Sequence, residues 1–163
     1  MKRFLSILMV VALLFVFGVF ALGSSESENE DQGKGSADGA SEESNLGEYS
    51  VEIMGCRLAE DYEGKAVVIV KYKFTNNSED STAFYTAFDD NVYQDGVGLN
   101  EAYILDDSAE YEVDNQTKDI KSGANLEVEV AYELNDTETD IEVEVEELFS
   151  FDDKKITKTF SIK

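Results

Sequence analysis

Apolar and polar residues alternate along two segments near the end of the chain, and this alternation constrains the fold more than any other feature. In residues 126–134 one side is rich in glutamate, and the other side is Leu126, Val128, Val130, Tyr132 and Leu134. Residues 141–146 repeat the pattern, with Ile141, Val143 and Val145 against three glutamates. A period of two is typical of β-strands that bury one face, so both segments are predicted strands.

Further strands are expected in the same region, and no segment shows a convincing helical period. Alternating apolar residues predict a strand that starts at residue 49, another at 82–88 and a last one that ends near residue 162. Residues 66–74 begin apolar on both faces, as a strand in the middle of a sandwich does. Turn residues such as Glu63-Gly64 and Asp95-Gly96 separate the runs. About six to eight short strands in about 115 residues predict an all-β, two-sheet antiparallel sandwich.

The N-terminal residues 1–23 form a segment of different composition. A short basic start precedes an apolar run at residues 4–22, as in an export signal. The run is longer than an ordinary signal core and close to the length that spans a bilayer. Gly18 and the small residues Ala21 and Gly23 favour cleavage. Residues 1–23 are therefore predicted to be a signal peptide or an uncleaved membrane anchor helix, which makes the remainder extracytoplasmic.

The following residues, 24–47, are rich in Ser, Gly and acidic residues, and Leu46 is their one large apolar residue. Such a segment buries too little apolar surface to offset the entropy of ordering. We expect residues 24–47 to be a disordered linker that spaces the β-domain, residues 48–163, from a membrane.

The composition excludes several classes of function. The chain has 36 Asp and Glu against 13 Lys and Arg, a formal net charge of -23. This charge argues against nucleic-acid binding and disfavours anionic lipid surfaces. Without His, and with Cys56 as the one cysteine, the chain lacks the residues of a Ser-His-Asp triad, a Cys-His nucleophile or a His-ligated zinc site. Cys56 is expected to be a small buried apolar residue.

The glutamates of the two alternating segments would share one face if residues 125–134 and 141–146 paired as a hairpin. That face would carry Glu127, Glu129, Glu133, Glu142, Glu144 and Glu146. Like charges on facing strands repel, so three explanations stay open: a bound cation or basic partner, pairing with Lys71 and Lys73, or a solvated face that keeps an exported protein soluble.

A second oxygen-rich stretch suggests a calcium site as an alternative function. Its candidate ligands are Asp89, Asp90, Asp95, Asp106 and Asp107. Calcium takes about six to eight oxygen ligands, and clustered loop carboxylates supply them. The stretch does not follow the linear EF-hand spacing, so such a site would combine separate loops. No other cofactor is expected.

Catalysis is not expected of this chain. Paired carboxylates in principle support glycoside hydrolysis, but that chemistry needs a sugar-binding cleft, and the chain has no Trp. The Phe and Tyr residues that follow the N-terminal segment are expected to fill the core.

Several segments resemble one bacterial family, the domain of unknown function number five-zero-six-seven. They are residues 62–78, YEGKAVVIVKYKFTNNS; residues 114–124, DNQTKDIKSGA; residues 127–134, EVEVAYEL; and residues 148–152, LFSFD. The resemblance covers residues 49–163. It implies an immunoglobulin-like sandwich on exported proteins of Gram-positive bacteria, mostly lipoproteins, without an established activity.

The chain departs from that family at the end of the N-terminal segment. Family members usually have a lipid-modified cysteine there, whereas here Ser24 follows Gly23. A thioether-linked lipid cannot form on serine, so the resemblance leaves release or a retained helix as the alternatives. The sequence therefore predicts a monomeric, non-enzymatic, secreted or cell-surface domain. Its partner is expected to be a protein or another envelope component, with membrane contact only through residues 4–22.

Overall fold

The structure is a computed structural model that describes residues 43–104 and 111–163. The described residues form two antiparallel sheets of four strands each. The predicted segment 1–23 and most of the predicted linker lie outside the described residues. No helix in the described parts of the chain is long and apolar enough to cross a membrane.

Eight strands, one short α-helix and one 3-10 helix make up the described elements. In chain order they are β1 (Ser44–Leu46), β2 (Tyr49–Glu60), β3 (Ala66–Asn76), α1 (Phe84–Ala87), β4 (Phe88–Gln94), β5 (Val97–Gly98), the 3-10 helix (Val113–Thr117), β6 (Asn125–Glu133), β7 (Ile141–Glu147) and β8 (Lys155–Phe160). The first sheet has the order β1-β2-β3-β6, and the second has the order β5-β4-β7-β8. The predictions of an all-β fold and of antiparallel pairing are confirmed.

One hydrophobic core joins the inner faces of the two sheets. The alternating residues of β6 and β7 are buried in it, as the period of two predicts. β3 lies between β2 and β6 and is buried on both faces at its start, which explains its continuous apolar run. Aromatic rings fill the space between the sheets, and Phe74 and Phe88 meet edge to face with their ring centroids 5.7 Å apart.

The expected hairpin between residues 125–134 and 141–146 is wrong. β6 pairs with β3 in the first sheet, whereas β7 pairs with β4 and β8 in the second. The connection crosses between the sheets and is held by the buried side chain of Gln94. Its amide nitrogen donates to the carbonyl oxygens of Asp136 (3.1 Å) and Thr139 (3.0 Å), and its oxygen accepts from the backbone N–H of Asn135 (2.8 Å).

The strand expected at 82–88 is also wrong, because residues Phe84–Ala87 are helical. Phe84 and Phe88 are both buried in the core. They are four residues apart, a spacing at which one helical turn places both side chains on the same face. At the other boundary, β1 lies within the predicted linker. Leu46 is 3% exposed in the core, and its burial stabilises a strand in an otherwise polar segment.

Candidate functional site

A carboxyl group on the inner face of the second sheet is the most perturbed acidic group among the described residues. Phe88, Asp90, Val92 and Gln94 occupy the inner positions of β4, so Asp90 faces the core. The hydroxyl of Tyr132, on the opposite sheet, donates to the Asp90 carboxylate and lies 3.3 Å from its backbone oxygen. Asp90 therefore links the two sheets through a side-chain hydrogen bond.

Burial raises the pKa of the Asp90 carboxyl to about 6, against the opposing effect of the nearby Tyr132 and Tyr72 hydroxyls. Burial also raises the pKa of both tyrosines well above their usual value, and the negative charge of Asp90 adds to the effect. The Tyr72 hydroxyl is fully buried and has no hydrogen-bond partner of good geometry among the described residues. These groups face each other across the core, so the Asp90 carboxyl is enclosed between the two sheets.

The structure separates the residues of the expected calcium site that it describes. Asp89 is exposed on the outer face of β4, while its neighbour Asp90 is on the inner face. Asp95 is in the turn between β4 and β5, five residues further on. Asp106 and Asp107 lie outside the described residues. No cluster of three or more Asp, Glu, Cys or His suited to a metal is found in residues 43–104 and 111–163.

The acidic residues of the former hairpin pattern divide between two outer faces. Glu127, Glu129 and Glu133 are on the first sheet, and Glu142, Glu144 and Glu146 are on the second. On the first sheet, Lys71 pairs with Glu127 at 2.6 Å, as the sequence suggested. Lys73 instead lies 3.6 Å from Glu43. The glutamates are thus divided between two faces, because β6 and β7 belong to different sheets. Part of their negative charge is compensated by lysine.

A small cavity on the second sheet contains part of this acidic surface. It has a volume of about 90 Å³ and is lined by residues of β4, β7 and β8, including Asp89, Glu144 and Glu146. The Lys155 ammonium lies 2.6 Å from Glu144 and compensates part of the charge.

The outer face of the first sheet is partly covered by residues 99–104. Ala102 donates its backbone N–H to the Ala131 carbonyl at 2.8 Å, and Glu133 donates to the Asn100 carbonyl at 2.9 Å. These bonds close the β6 edge of the sheet. Ala102 and Ile104 pack with Val67, Ile69 and Ala131 in a second small hydrophobic cluster.

Within residues 43–104 and 111–163, the opposite edge of the first sheet has no partner strand over most of its length. β1 pairs only with the start of β2, at Tyr49, Ser50 and Val51. Beyond this point the Lys158 ammonium of β8 donates to the Ile53 carbonyl at 2.8 Å. No described strand pairs with residues 55–60 on the side away from β3. We call this segment the β2 open edge.

A groove of about 370 Å³ lies beside the β2 open edge. It begins at a β-bulge between Ile53 and Gly55, and its lining is Met54, Gly55, Cys56, Arg57, Ile69, Lys71 and Glu129. Within it, the Arg57 guanidinium lies 2.9 Å from the Glu129 carboxylate. The alternating pattern of the sequence does not predict this groove. The pattern breaks at Met54 and Gly55, and such a break indicates a β-bulge but not an edge without a partner strand.

Cys56 is half-buried beside this groove, which agrees only in part with the expected buried residue. Burial raises the pKa of its thiol, and the positive charge of Lys158 opposes the shift. A raised pKa disfavours the thiolate, which is the nucleophilic form.

The expectation that the domain's aromatic residues fill the core is wrong for several of them. Phe149 is 81% exposed and Phe151 is fully exposed in the loop between β7 and β8, and Tyr103 is 78% exposed. The loop follows the last glutamate of β7 and contacts α1 through a bond from the Leu148 N–H to the Ala87 carbonyl (3.0 Å).

Comparison with solved structures shows the same fold in another bacterial protein. A structure described as a "putative lipoprotein" from Staphylococcus aureus matches with a TM-score of 0.56 and 20% sequence identity, over 71% of this chain and 84% of that chain. The yjhA protein from Bacillus subtilis matches with a TM-score of 0.46 and 12% identity, over 62% of this chain and 76% of that chain. No curated protein matches the sequence.

The profile of one protein family matches residues 24–147, which is most of the chain and includes β1 to β7. This family is described as Domain of unknown function (DUF5067). The match agrees with the resemblance seen in the sequence, and the chain belongs to this family.

Proposed function

We propose that this protein is an extracytoplasmic, non-enzymatic binding domain with an immunoglobulin-like sandwich fold. The observation that carries the proposal is the β2 open edge with its adjoining groove of about 370 Å³. An open edge presents unpaired backbone donors and acceptors, and proteins usually cover or protect such edges. Here the edge also exposes Met54 (37%) and Leu58 (47%), as a contact surface does.

The placement of the titratable groups supports a binding role over catalysis. Asp90, with its raised pKa, faces Tyr132 between the sheets instead of a groove. The groove itself contains an ion pair, Arg57 with Glu129, in which both charges are already compensated. A catalytic acid or base has to reach a substrate, whereas the charged groups that line this groove are engaged in ion pairs.

Export is supported by the N-terminal segment and by the related proteins. The basic start and the apolar run at 4–22 have the composition of a signal or anchor. The Staphylococcus aureus protein of the same fold is described as a "putative lipoprotein", and lipoproteins are a class of exported protein. We propose that this chain is either released after cleavage or held by an uncleaved N-terminal helix, since Ser24 cannot carry a thioether-linked lipid.

Fractionation and mass spectrometry of the mature protein test export. The full chain is produced in an exporting Gram-positive host, and its N-terminus is determined in the membrane and medium fractions. A protein that starts near residue 22 to 25 in the medium supports cleavage, and an intact N-terminus in the membrane supports the anchor. Recovery of the intact chain in the cytoplasm would contradict the proposal.

Affinity capture tests the binding role. The exported protein is used to capture components of a cell-envelope extract, at low and then at physiological salt, because an acidic surface attracts cations nonspecifically at low salt. We expect a stoichiometric component that survives the higher salt. A matched bait, Glu142→Gln, changes the charge of the other sheet and should retain the same component. Loss of every captured component at physiological salt would reduce the acidic surface to a solubilising role.

A further inference from the structure

We propose that the β2 open edge binds an extended peptide segment with basic residues, which adds a fifth strand to the first sheet. This inference rests on the proposed binding function and specifies its site and the chemistry of its partner. Four features carry it: the direction of the backbone groups, the regular register of residues 55–60, the groove beside them and the charge of the domain.

The pairing of β3 shows which backbone groups of β2 face outward. The Ala66 carbonyl accepts a bond from Leu134, on the β6 side, at 3.1 Å. Successive residues of an antiparallel strand direct their N–H and C=O groups to opposite sides, so every second residue directs them to the same side. Val68, two residues after Ala66, therefore also directs its backbone groups toward β6. Its partner on β2 is Leu58. The N–H and C=O of Leu58, and those of Cys56 two residues before it, therefore point away from β3 into the open edge.

Lys158 gives independent support for this direction. Its ammonium reaches the Ile53 carbonyl from the other sheet, so the backbone of Ile53 also faces away from β3. The bulge follows, and from Gly55 to Glu60 each residue pairs in regular register with β3. Six residues in regular register offer about 20 Å of strand, which is enough for an added strand.

The other sheet edges are protected, and Lys158 reaches this edge at the Ile53 carbonyl, before the bulge at which residues 55–60 begin. β8 also carries Lys155, and lysine on an edge strand is a common means of preventing further pairing. β5 has only two residues. The β6 edge is bonded to residues 100–102. Among the described residues, the β2 open edge thus remains the surface suited to strand addition, the mode in which a sheet edge recognises an extended peptide.

Charge selects the chemistry of the partner. The cations in the groove are engaged, with Arg57 on Glu129 at 2.9 Å and Lys71 on Glu127 at 2.6 Å. The chain as a whole carries a net charge of -23. A second copy of this chain would meet strong repulsion, and so would an acidic peptide, whereas a basic peptide is attracted. Apolar side chains of the peptide would alternate with the basic ones, so the apolar ones would share one face of the added strand and contact Leu58.

Hydrogen exchange followed by NMR tests the proposal directly. The probe is a ten-residue peptide of alternating Lys and Val, added to the exported protein in 150 mM salt. We expect the Cys56 and Leu58 amides to become at least tenfold better protected from exchange, because an added strand accepts bonds from them. A Glu and Val peptide of the same length is the charge control and should bind at least tenfold more weakly.

Two variants separate strand addition from side-chain contact. Leu58→Pro removes an outward N–H without removing a bond to β3, so the domain should remain folded while peptide affinity falls at least tenfold. Leu58→Ala keeps the N–H and removes the half-exposed side chain, so it loses only the side-chain contact, and its affinity should fall by less than that of Leu58→Pro. If Leu58→Pro does not fold, the exchange measurement on the unmodified protein still decides the question.

Binding that is lost at 150 mM salt, or that leaves the exchange of Cys56 and Leu58 unchanged, would overturn the proposal. Equal affinity for the acidic peptide would overturn its charge argument. The two proposals also fail differently. If a Leu58→Pro bait captures the same envelope component as the unmodified protein, the binding function stands and its assignment to the β2 open edge is wrong.

Discussion

Replacing Asp90 with Asn should stabilise the protein at neutral pH and have little effect at acidic pH. Burial raises the pKa of this carboxyl from the usual 3.8 to about 6 in the folded protein. The folded state therefore binds the proton more tightly than the unfolded state does. The stability that comes from this proton is fully present below about pH 4 and is lost as the pH rises through about 6.

The magnitude follows from the shift. Raising the pKa from 3.8 to about 6 corresponds to about 3 kcal/mol of unfolding free energy, since one pKa unit is worth about 1.4 kcal/mol. Asp90→Asn is neutral at every pH, and its side-chain oxygen still accepts from the Tyr132 hydroxyl. Its new N–H group faces the buried Tyr72 hydroxyl, which has no good partner among the described residues. We therefore expect a gain of up to about 3 kcal/mol at pH 7.5 and about none at pH 4.

Urea denaturation followed by far-ultraviolet circular dichroism at several pH values between 4 and 8 measures this difference. Circular dichroism is suitable because the chain has no Trp for fluorescence. Asp89→Asn is the matched control, because it makes the same chemical change on the exposed outer face of the same strand. Its difference from the unmodified protein should vary by less than about 1 kcal/mol over this range. Parallel curves of unfolding free energy against pH for Asp90→Asn and the unmodified protein would show that burial of Asp90 does not raise its pKa.

Three further predictions concern turns and metal binding. Gly47→Ala should cost about 1 to 3 kcal/mol in urea denaturation, because Gly47 has a φ of +60°, which a residue with a Cβ adopts only with strain. The Glu147 carboxylate that this Cβ would meet can move aside, and the control Gly55→Ala has no positive φ and meets no neighbour within 4 Å. Asn76→Ala should lower the unfolding free energy by about 2 to 4 kcal/mol in the same assay. The Asn76 amide donates to two carbonyls at 2.8 and 2.9 Å, and its oxygen accepts from Ser78. A decrease of less than about 1 kcal/mol would contradict this prediction. Millimolar calcium should shift the melting temperature by less than about 1 °C, because the described Asp residues of the expected site point to different places; a rise of several degrees would support the calcium alternative instead.

Much of the fold could be predicted from the sequence because burial on one face leaves a period of two. The alternating residues of β6 and β7 and the two-faced run of β3 are present where the pattern placed them. The turn at Asp95 and Gly96 was likewise readable, and both residues have a positive φ there. Such signals are local. The burial of one face determines the residue pattern within each strand, and the backbone angles of each turn determine which residues it accepts.

The partners of these strands could not be predicted, because an alternating strand buries the same face whichever neighbour it pairs with. β6 and β7 were expected to form a hairpin, yet they face each other from opposite sheets across one core. The sequence likewise placed Asp89 and Asp90 together in a loop, while the strand that contains them sends one outward and the other toward Tyr132.

The class of the fold, the acidic charge and the lack of His and of a second Cys can be read from the amino-acid sequence. The positions of the candidate functional residues follow from the packing of the two sheets. The raised pKa of Asp90 depends on its burial between the two sheets, where it meets a tyrosine 42 residues away, and the β2 open edge depends on how far β1 extends along it. Both depend on contacts between segments that are distant in the chain. The local alternation of apolar and polar residues does not indicate which distant segment will pack against a strand.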